Sequence, residues 1–142
     1  MKLSENLTLA EAIKSNTAIR KGIDNSPTKE HLHNMKLVAY NIFEPIRTHF
    51  GVPLYVSSMY RSAALNKAIA GASKNSQHCK GQAIDIDADI YGGCTNKEIF
   101  DFVKDYLDFD QLIWEYGTDE NPAWVHISYK ESGNRKQVLR IK

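Results

Sequence analysis

The sequence lacks the features that mark secreted, membrane and nucleic-acid-binding proteins. No apolar run approaches membrane-spanning length, and residues 1–10, which include Glu5, lack the continuous apolar segment of a signal peptide. Eighteen basic residues against 17 acidic ones leave a net charge of +1, which gives no global field to attract nucleic acid or an anionic membrane. We therefore expect synthesis in the cytoplasm, with neither nucleic-acid binding nor membrane insertion.

Cysteine is also scarce. Cys79 and Cys94 are the two cysteines of the chain, and such a pair is consistent with one disulfide in an oxidising compartment or with free thiols in the cytosol. Neither has a partner at a zinc-finger spacing, so we expect both to be non-ligands.

The chain has ordinary globular composition, and no linker, repeat or biased segment divides it. Its 142 residues are 42% hydrophobic and 25% charged, enough to build one core. We expect one domain over residues 1–142, acting as a monomer.

Hydrophobic periodicity predicts helices first and strands later. The expected helices are 7–21, opened by a Thr8–Glu11 capping box, 27–51, with a kink at Pro45, then 63–70, and 96–106, capped by Thr95. The expected strands are 54–58, 82–87, 111–116 and 124–129, the last two forming a hairpin. Without regular βα alternation, this order favours an α+β fold with a mainly antiparallel sheet and flanking helices.

The stretch 76–85 carries the strongest chemical signal. It places His78 and Asp85 on either side of a glycine-containing link at the start of a strand. Zinc accepts imidazole nitrogen and carboxylate oxygen, and a catalytic zinc site needs three protein ligands. His126, in the interior of a predicted strand, is a candidate for the third, but a solitary strand histidine is more often a hydrogen-bonded core residue. Spacing alone leaves these readings open.

The other histidines carry weaker signals. His31 and His33 lie two residues apart on the long predicted helix and so on different faces, and His49 lies near its end. We expect all three to be surface residues without a metal role.

Three motifs together resemble a known family. Tyr60-Arg61-Ser62, the pattern S-x-H-x-x-G-x-A-x-D over 76–85, and Trp124-Val125-His126-Ile127-Ser128 look like the M15 family of zinc D-Ala-D-Ala carboxypeptidases and related peptidoglycan peptidases. The likeness extends over about residues 5–130, and the stretches 23–27 and 44–47 also resemble the phage-like subgroup. It implies the fold shared by Hedgehog signalling domains and DD-peptidases.

The resemblance implies a set of site residues. It makes His78, Asp85 and His126 ligands of Zn²⁺ and peptidoglycan stem peptides the substrate. Arg61 would bind a substrate carboxylate or the oxyanion, whereas Ser76 and Gln77 would form hydrogen bonds with the peptide. Gly81 would allow a tight turn with no side chain intruding on the metal. Asp87 or backbone carbonyls are candidates to orient the imidazoles.

The general base departs from the family pattern. Many members have a glutamate three residues before the last histidine ligand, where this chain has Ala123. Glu115 is the nearest replacement, because a turn centred between Glu120 and Asn121 would place it directly opposite His126, on the same face of the hairpin.

The sequence leaves two alternative functions open. One is a binding module that keeps the zinc but has lost catalysis, and the other is a metal-free interaction domain. For the enzyme, we expect action at the cell wall and a phage-type or virion-associated origin.

Overall fold

The chain combines six α-helices with two sheets in the part of the chain that the structure describes. The computed structural model describes residues 1–69, 72 and 75–142. The helices are α1 (Leu9–Ile13), α2 (Asn16–Lys21), α3 (Lys29–Val38), α4 (Glu44–Phe50), α5 (Ala63–Ala68) and α6 (Asn96–Tyr106). The strands are β1 (Lys2–Ser4), β2 (Leu7–Thr8), β3 (Val56–Ser58), β4 (Ala83–Ile86), β5 (Gln111–Glu115), β6 (Trp124–Ser128) and β7 (Gln137–Ile141). This confirms the predicted α+β class; the predicted end of the third helix, at Ala70, lies outside the described residues.

The larger sheet has the order β3-β4-β6-β5-β7. Its pairings are antiparallel except the last, in which β7 runs parallel to β5. The sheet is therefore mainly antiparallel, as predicted, but β7 and its parallel pairing were not predicted. A small antiparallel pair of β1 and β2 was also missed.

The two faces of this sheet have different neighbours. Side chains alternate along each strand, so Leu112, Trp114, Val125 and Ile127 share one face and join the hydrophobic core. Asp85, Ile113 and Glu115 belong to the opposite face and line a cavity there. One face of the sheet thus packs into the hydrophobic core, and the opposite face carries the polar side chains of the cavity.

Helix α6 matches its predicted bounds because its start signal is local. The Thr95 side chain accepts a hydrogen bond from the Glu98 amide, and the Glu98 side chain accepts one from the Thr95 amide. The same capping box joins Thr8 and Glu11 at the start of α1. The single helix predicted over 7–21 is wrong, however, since Ser15 caps a second helix after a break at Lys14.

The long predicted helix, 27–51, contains a π-helical segment, Ala39–Phe43, between α3 and α4. The segment ends immediately before the first turn of α4, which contains Pro45. A proline removes one backbone donor and crowds the preceding turn, and the wider π-turn accommodates this change within one continuous helical element. The irregularity therefore lies before Pro45 and not at it.

Among the described residues, no helix combines the length and the apolar character that crossing a bilayer requires.

Candidate metal centre

Asp85 and His126 face each other across two strands. They are directly opposed in the antiparallel β4–β6 pair, and directly opposed residues point to the same face. His126 Nδ1 lies 2.9 Å from Asp85 Oδ1. The alternation of β4 and the register of the sheet are sufficient to bring these two residues together, although 41 positions separate them in sequence.

His78 reaches the same point from a different element. It lies in a short 3₁₀ turn, Gln77–Lys80, that leads into β4. Its Nε2 atom is 3.3 Å from Asp85 Oδ2, and its ring lies edge-on to that of His126 with 5.1 Å between centroids. The three residues predicted as zinc ligands are therefore adjacent.

A backbone carbonyl orients the His78 ring. The Nδ1–H group donates to the carbonyl oxygen of Met59 at 2.6 Å, so Nε2 is the ring nitrogen that can bind a metal. The sequence suggested Asp87 or a backbone carbonyl as the group that orients the imidazoles, and for His78 the group is a backbone carbonyl. Asp87 does not take this role, because it lies beyond the end of β4 and accepts from the Asn96 side chain.

The donor set fits zinc. Candidate ligand atoms from His78, Asp85 and His126 all lie within 4.8 Å of one another. Two imidazole nitrogens and one carboxylate oxygen are the usual ligands of catalytic zinc, and three protein ligands leave a position for water or substrate. The three side chains are at most about one-tenth exposed, so they already have the low-dielectric surroundings in which a bound cation would compensate buried charge.

The carboxyl group of Asp85 is held ionised. Burial raises its pKa, but His78 and the hydrogen bond from His126 outweigh burial and bring the pKa well below the ordinary value. An ionised carboxylate is the form that binds a metal.

Glu115 lines the same cavity, which has a volume of about 540 Å³ and also includes Arg61, Ser76 and Gln77. The predicted pairing is wrong: Glu115 lies opposite Trp124, and His126 lies opposite Ile113. The shift is two residues, and because side chains alternate with a period of two, Glu115 keeps the face of His126. Burial, followed by the negative charge of Asp85, raises the pKa of the Glu115 carboxyl.

Arg61 closes one side of the cluster. Its Nη2 atom is 3.7 Å from Asp85 Oδ2, and its Nε donates to the Ser58 hydroxyl at 3.2 Å. The guanidinium also donates from Nη1 to Asn66 at 3.4 Å. These contacts hold a planar cation beside the metal-binding carboxylate.

Ser76 and Gln77 shape the turn that carries His78. The Ser76 hydroxyl accepts a hydrogen bond from the His78 amide at 3.2 Å. The Gln77 amide donates from Nε2 to Asp110 Oδ2 at 3.0 Å. Both side chains therefore position the metal-binding turn, a role that the sequence did not assign.

Asp110 is the main residue that the sequence did not reveal. Its carboxylate is fully buried and accepts from Gln77 and from the Arg135 guanidinium, whose Nη2 is 2.7 Å away. The hydrogen bond from Arg135 is the main reason why the pKa of Asp110 lies well below its usual range. A single aspartate in the stretch Phe109-Asp110-Gln111 matches no motif, so no sequence signal points to it.

Gly81 lies in a tight turn, as predicted, but the reason why a glycine is needed there differs from the predicted one. Its φ is +74°, and a Cβ there would collide with the backbone carbonyl of His31 and come within 2.9 Å of the Met35 side chain, both on α3. The close approach is therefore to a helix behind the turn and not to the metal.

The remaining histidines and the cysteines lie elsewhere. His31 bonds to the Tyr60 hydroxyl, His33 contacts Glu131, and His49 stacks on Phe102. Cys79 and Cys94 are free thiols. In the described part of the chain, the one group of metal-binding side chains is the predicted trio.

Comparison with known proteins agrees with this geometry. A family model described as Peptidase M15 matches residues 5–128. The match contains all three candidate ligands together with Arg61 and Glu115, and it ends before β7. No curated protein matches the chain significantly.

Proposed function

Because the chain belongs to the peptidase M15 family, we propose that it is a zinc-dependent peptidase that hydrolyses peptide bonds of peptidoglycan stem peptides. The observation that carries the proposal is the convergence of His78, Asp85 and His126 beside Glu115 in one cavity. Both D-Ala-D-Ala carboxypeptidase and endopeptidase activity fall within it.

His78 Nε2, the Asp85 carboxylate and His126 Nδ1 would hold the metal. Zinc bound there would polarise the scissile carbonyl and lower the pKa of water to about 7. The Met59 carbonyl keeps His78 in the required tautomer, and the cross-strand pairing keeps Asp85 and His126 in register.

Glu115 is proposed as the general base. Its carboxylate would accept a proton from the attacking water and deliver it to the nitrogen of the leaving amine. The raised pKa of this half-buried group brings it nearer to neutral pH, where a proton is both taken up and released readily.

Arg61, Ser76 and Gln77 are proposed to bind the substrate. The Arg61 fork suits a peptide carboxylate or the developing oxyanion, and it lies beside the ligand Asp85. The Gln77 amide must present its NH₂ group to the acceptor Asp110, so its oxygen is left as an acceptor, with no partner among the described residues. Because this oxygen is buried, Gln77 is proposed to contact the peptide with the part of the residue that lines the cavity.

The experiment is to incubate zinc-loaded protein with purified peptidoglycan and with synthetic stem peptides, and to identify new termini by mass spectrometry. Glu115→Gln should lower kcat by about 10²–10⁴-fold while zinc is retained. Glu120→Gln is the matched control, because this exposed glutamate lies in the same hairpin but outside the cavity. Cleavage by Glu115→Gln at the normal rate would exclude Glu115 as the base.

A zinc-containing binding module without catalysis is the second candidate function. Ala123, at the position where family members carry a glutamate, favours it. Wild-type protein that retains zinc and binds stem peptides, yet yields no new termini, would establish this alternative.

The proposed site of action is the cell wall. A phage-encoded or virion-associated origin and a monomeric state stay predictions from the sequence.

A further inference from the structure

A second cavity adjoins the metal cavity on the far side of Arg61. It has a volume of about 260 Å³ and lies between β3 and residues 14–17, which comprise the link between α1 and α2 and the first two residues of α2. Arg61 and Ile69 line both cavities, so the two are adjacent and separated by these side chains. We refer to this second space as the Lys14 cavity.

The charge of the Lys14 cavity differs from that of the metal cavity. Its lining includes two cations, Lys14 and Arg61, and no aspartate or glutamate, whereas the metal cavity contains Asp85 and Glu115. Arg61 is partly neutralised by Asp85. Lys14 is exposed, and no described carboxylate lies within ion-pair distance of it. The cavity therefore has one ammonium group available to an anionic ligand.

The wall opposite Lys14 is suited to an extended peptide. β3 is an outer strand of the larger sheet and pairs with β4 on one side only. An outer strand offers unpaired backbone groups to which a peptide can add as a further strand. Ser57 and Ser58 add small hydroxyl side chains on this wall.

We propose that the Lys14 cavity is a substrate subsite in which Lys14 binds a carboxylate on the part of the peptide that extends from the scissile bond past Arg61. The inference rests on the proposed function and adds a specificity-determining residue to it. Stem peptides carry free carboxylates along their length, whereas amidated stems carry neutral carboxamides in the same places. Lys14 would favour the first kind of substrate, since an ammonium group pairs with a carboxylate and gains little from an amide.

Binding of two matched stem peptides tests the proposal. The two peptides are identical except that one carboxylate of the first, on a side chain or at the α-position, is a carboxamide in the second. Affinity is measured by calorimetry. The protein is zinc-loaded Glu115→Gln, because this variant is expected not to cleave the peptides. We expect the carboxylate peptide to bind about 2–5-fold more tightly, the range of an exposed charged pair. Lys14→Ala should remove this preference and Lys14→Glu should reverse it, with zinc content unchanged.

Lys21→Ala is the matched control, because Lys21 is also an exposed lysine of the α1–α2 region but does not line the cavity. It should retain the preference. The proposal would be overturned if the protein with Lys14 intact bound the two peptides with equal affinity. It would also be overturned if Lys14→Ala lost the same affinity for both peptides, or if neither peptide bound detectably. With wild-type protein, equal cleavage of both peptides would contradict this subsite alone, whereas selective binding of the carboxylate peptide without cleavage would contradict the proposed enzyme function alone.

Discussion

The side-chain amide of Gln77 donates a 3.0 Å hydrogen bond to the buried carboxylate of Asp110, and this bond ties the turn that carries His78 to the start of β5. Arg135, outside the range matched by the family, binds the same carboxylate. The metal-binding turn is thus supported by a charge pair formed near the C-terminal end of the chain.

Asp110→Asn should destabilise the protein most at neutral pH. Because the folded state lowers the pKa of Asp110, its ionised form contributes stability that is complete above the unfolded pKa of about 3.9 and declines as pH falls from there toward the lower pKa of the folded state. We expect a cost of about 2 kcal/mol at pH 7, reduced from the value for a fully buried pair because Arg135 is half-exposed. Urea unfolding at pH 7, 5, 4 and 3 measures it.

The cost of Asp110→Asn should begin to shrink toward pH 3, because the unfolded chain then takes up a proton at Asp110 while the folded carboxylate stays ionised. Asp108→Asn, at an exposed position nearby, should show little cost at any of these pH values. A penalty for Asp110→Asn that does not change with pH would show that the ionised form contributes no special stability.

Gly81→Ala should destabilise the chain more than the same substitution at Gly133. Both glycines have φ near +75°, but only at Gly81 does an added Cβ meet neighbouring atoms. We expect about 1–2 kcal/mol for Gly133→Ala from backbone strain alone, and about 1–3 kcal/mol more for Gly81→Ala from the collision with α3. Chemical denaturation gives both values, and equal costs would contradict the close approach.

Asp85→Asn and His126→Ala should abolish tight zinc binding. Loss of a direct ligand should weaken affinity by more than about 100-fold, since even outer-shell partners contribute about 10–100-fold. Metal content after dialysis and competition with a zinc chelator measure the affinity. His49→Ala is the control, because its ring stacks on Phe102 away from the cluster, and it should keep one zinc per chain.

Arg61→Lys should lower kcat/KM by about 10–100-fold with zinc content unchanged, because lysine keeps the charge but loses the planar fork. A change confined to KM would indicate binding of a substrate carboxylate, and a change confined to kcat would indicate stabilisation of the oxyanion. Arg20→Lys, on the exposed part of α2, should leave both constants unaltered.

Local signals in the sequence predicted most of the helices and strands and the three residues of the candidate metal site. The capping boxes at Thr8 and Thr95 involve neighbours three residues apart, so they are readable without the fold. Strand alternation placed Asp85 on the polar side of β4, and the motifs supplied His78 and His126.

What the sequence could not give depends on distant partners. The parallel strand β7 follows a polar loop and is stabilised by pairing with β5, which its own residues do not reveal. The hairpin register depends on turn hydrogen bonds such as that from the Thr118 amide to Asn121, and these shift the pairing by two residues from the predicted one. Asp110 and Lys14 gain their significance only from what the fold places beside them.

The hairpin also bears on how such sites are recognised in other sequences. The Ala123 amide donates to the Glu115 carbonyl at 2.9 Å, so the position where relatives carry a glutamate and the position where this chain carries one are neighbours across the two strands. Glu115 can therefore bring a carboxylate to the cavity from the strand that lies opposite the usual position in the family. A sequence alignment that compares only equivalent positions would conclude that such a chain lacks the general base. A comparison of three-dimensional structures would detect the carboxylate on the neighbouring strand.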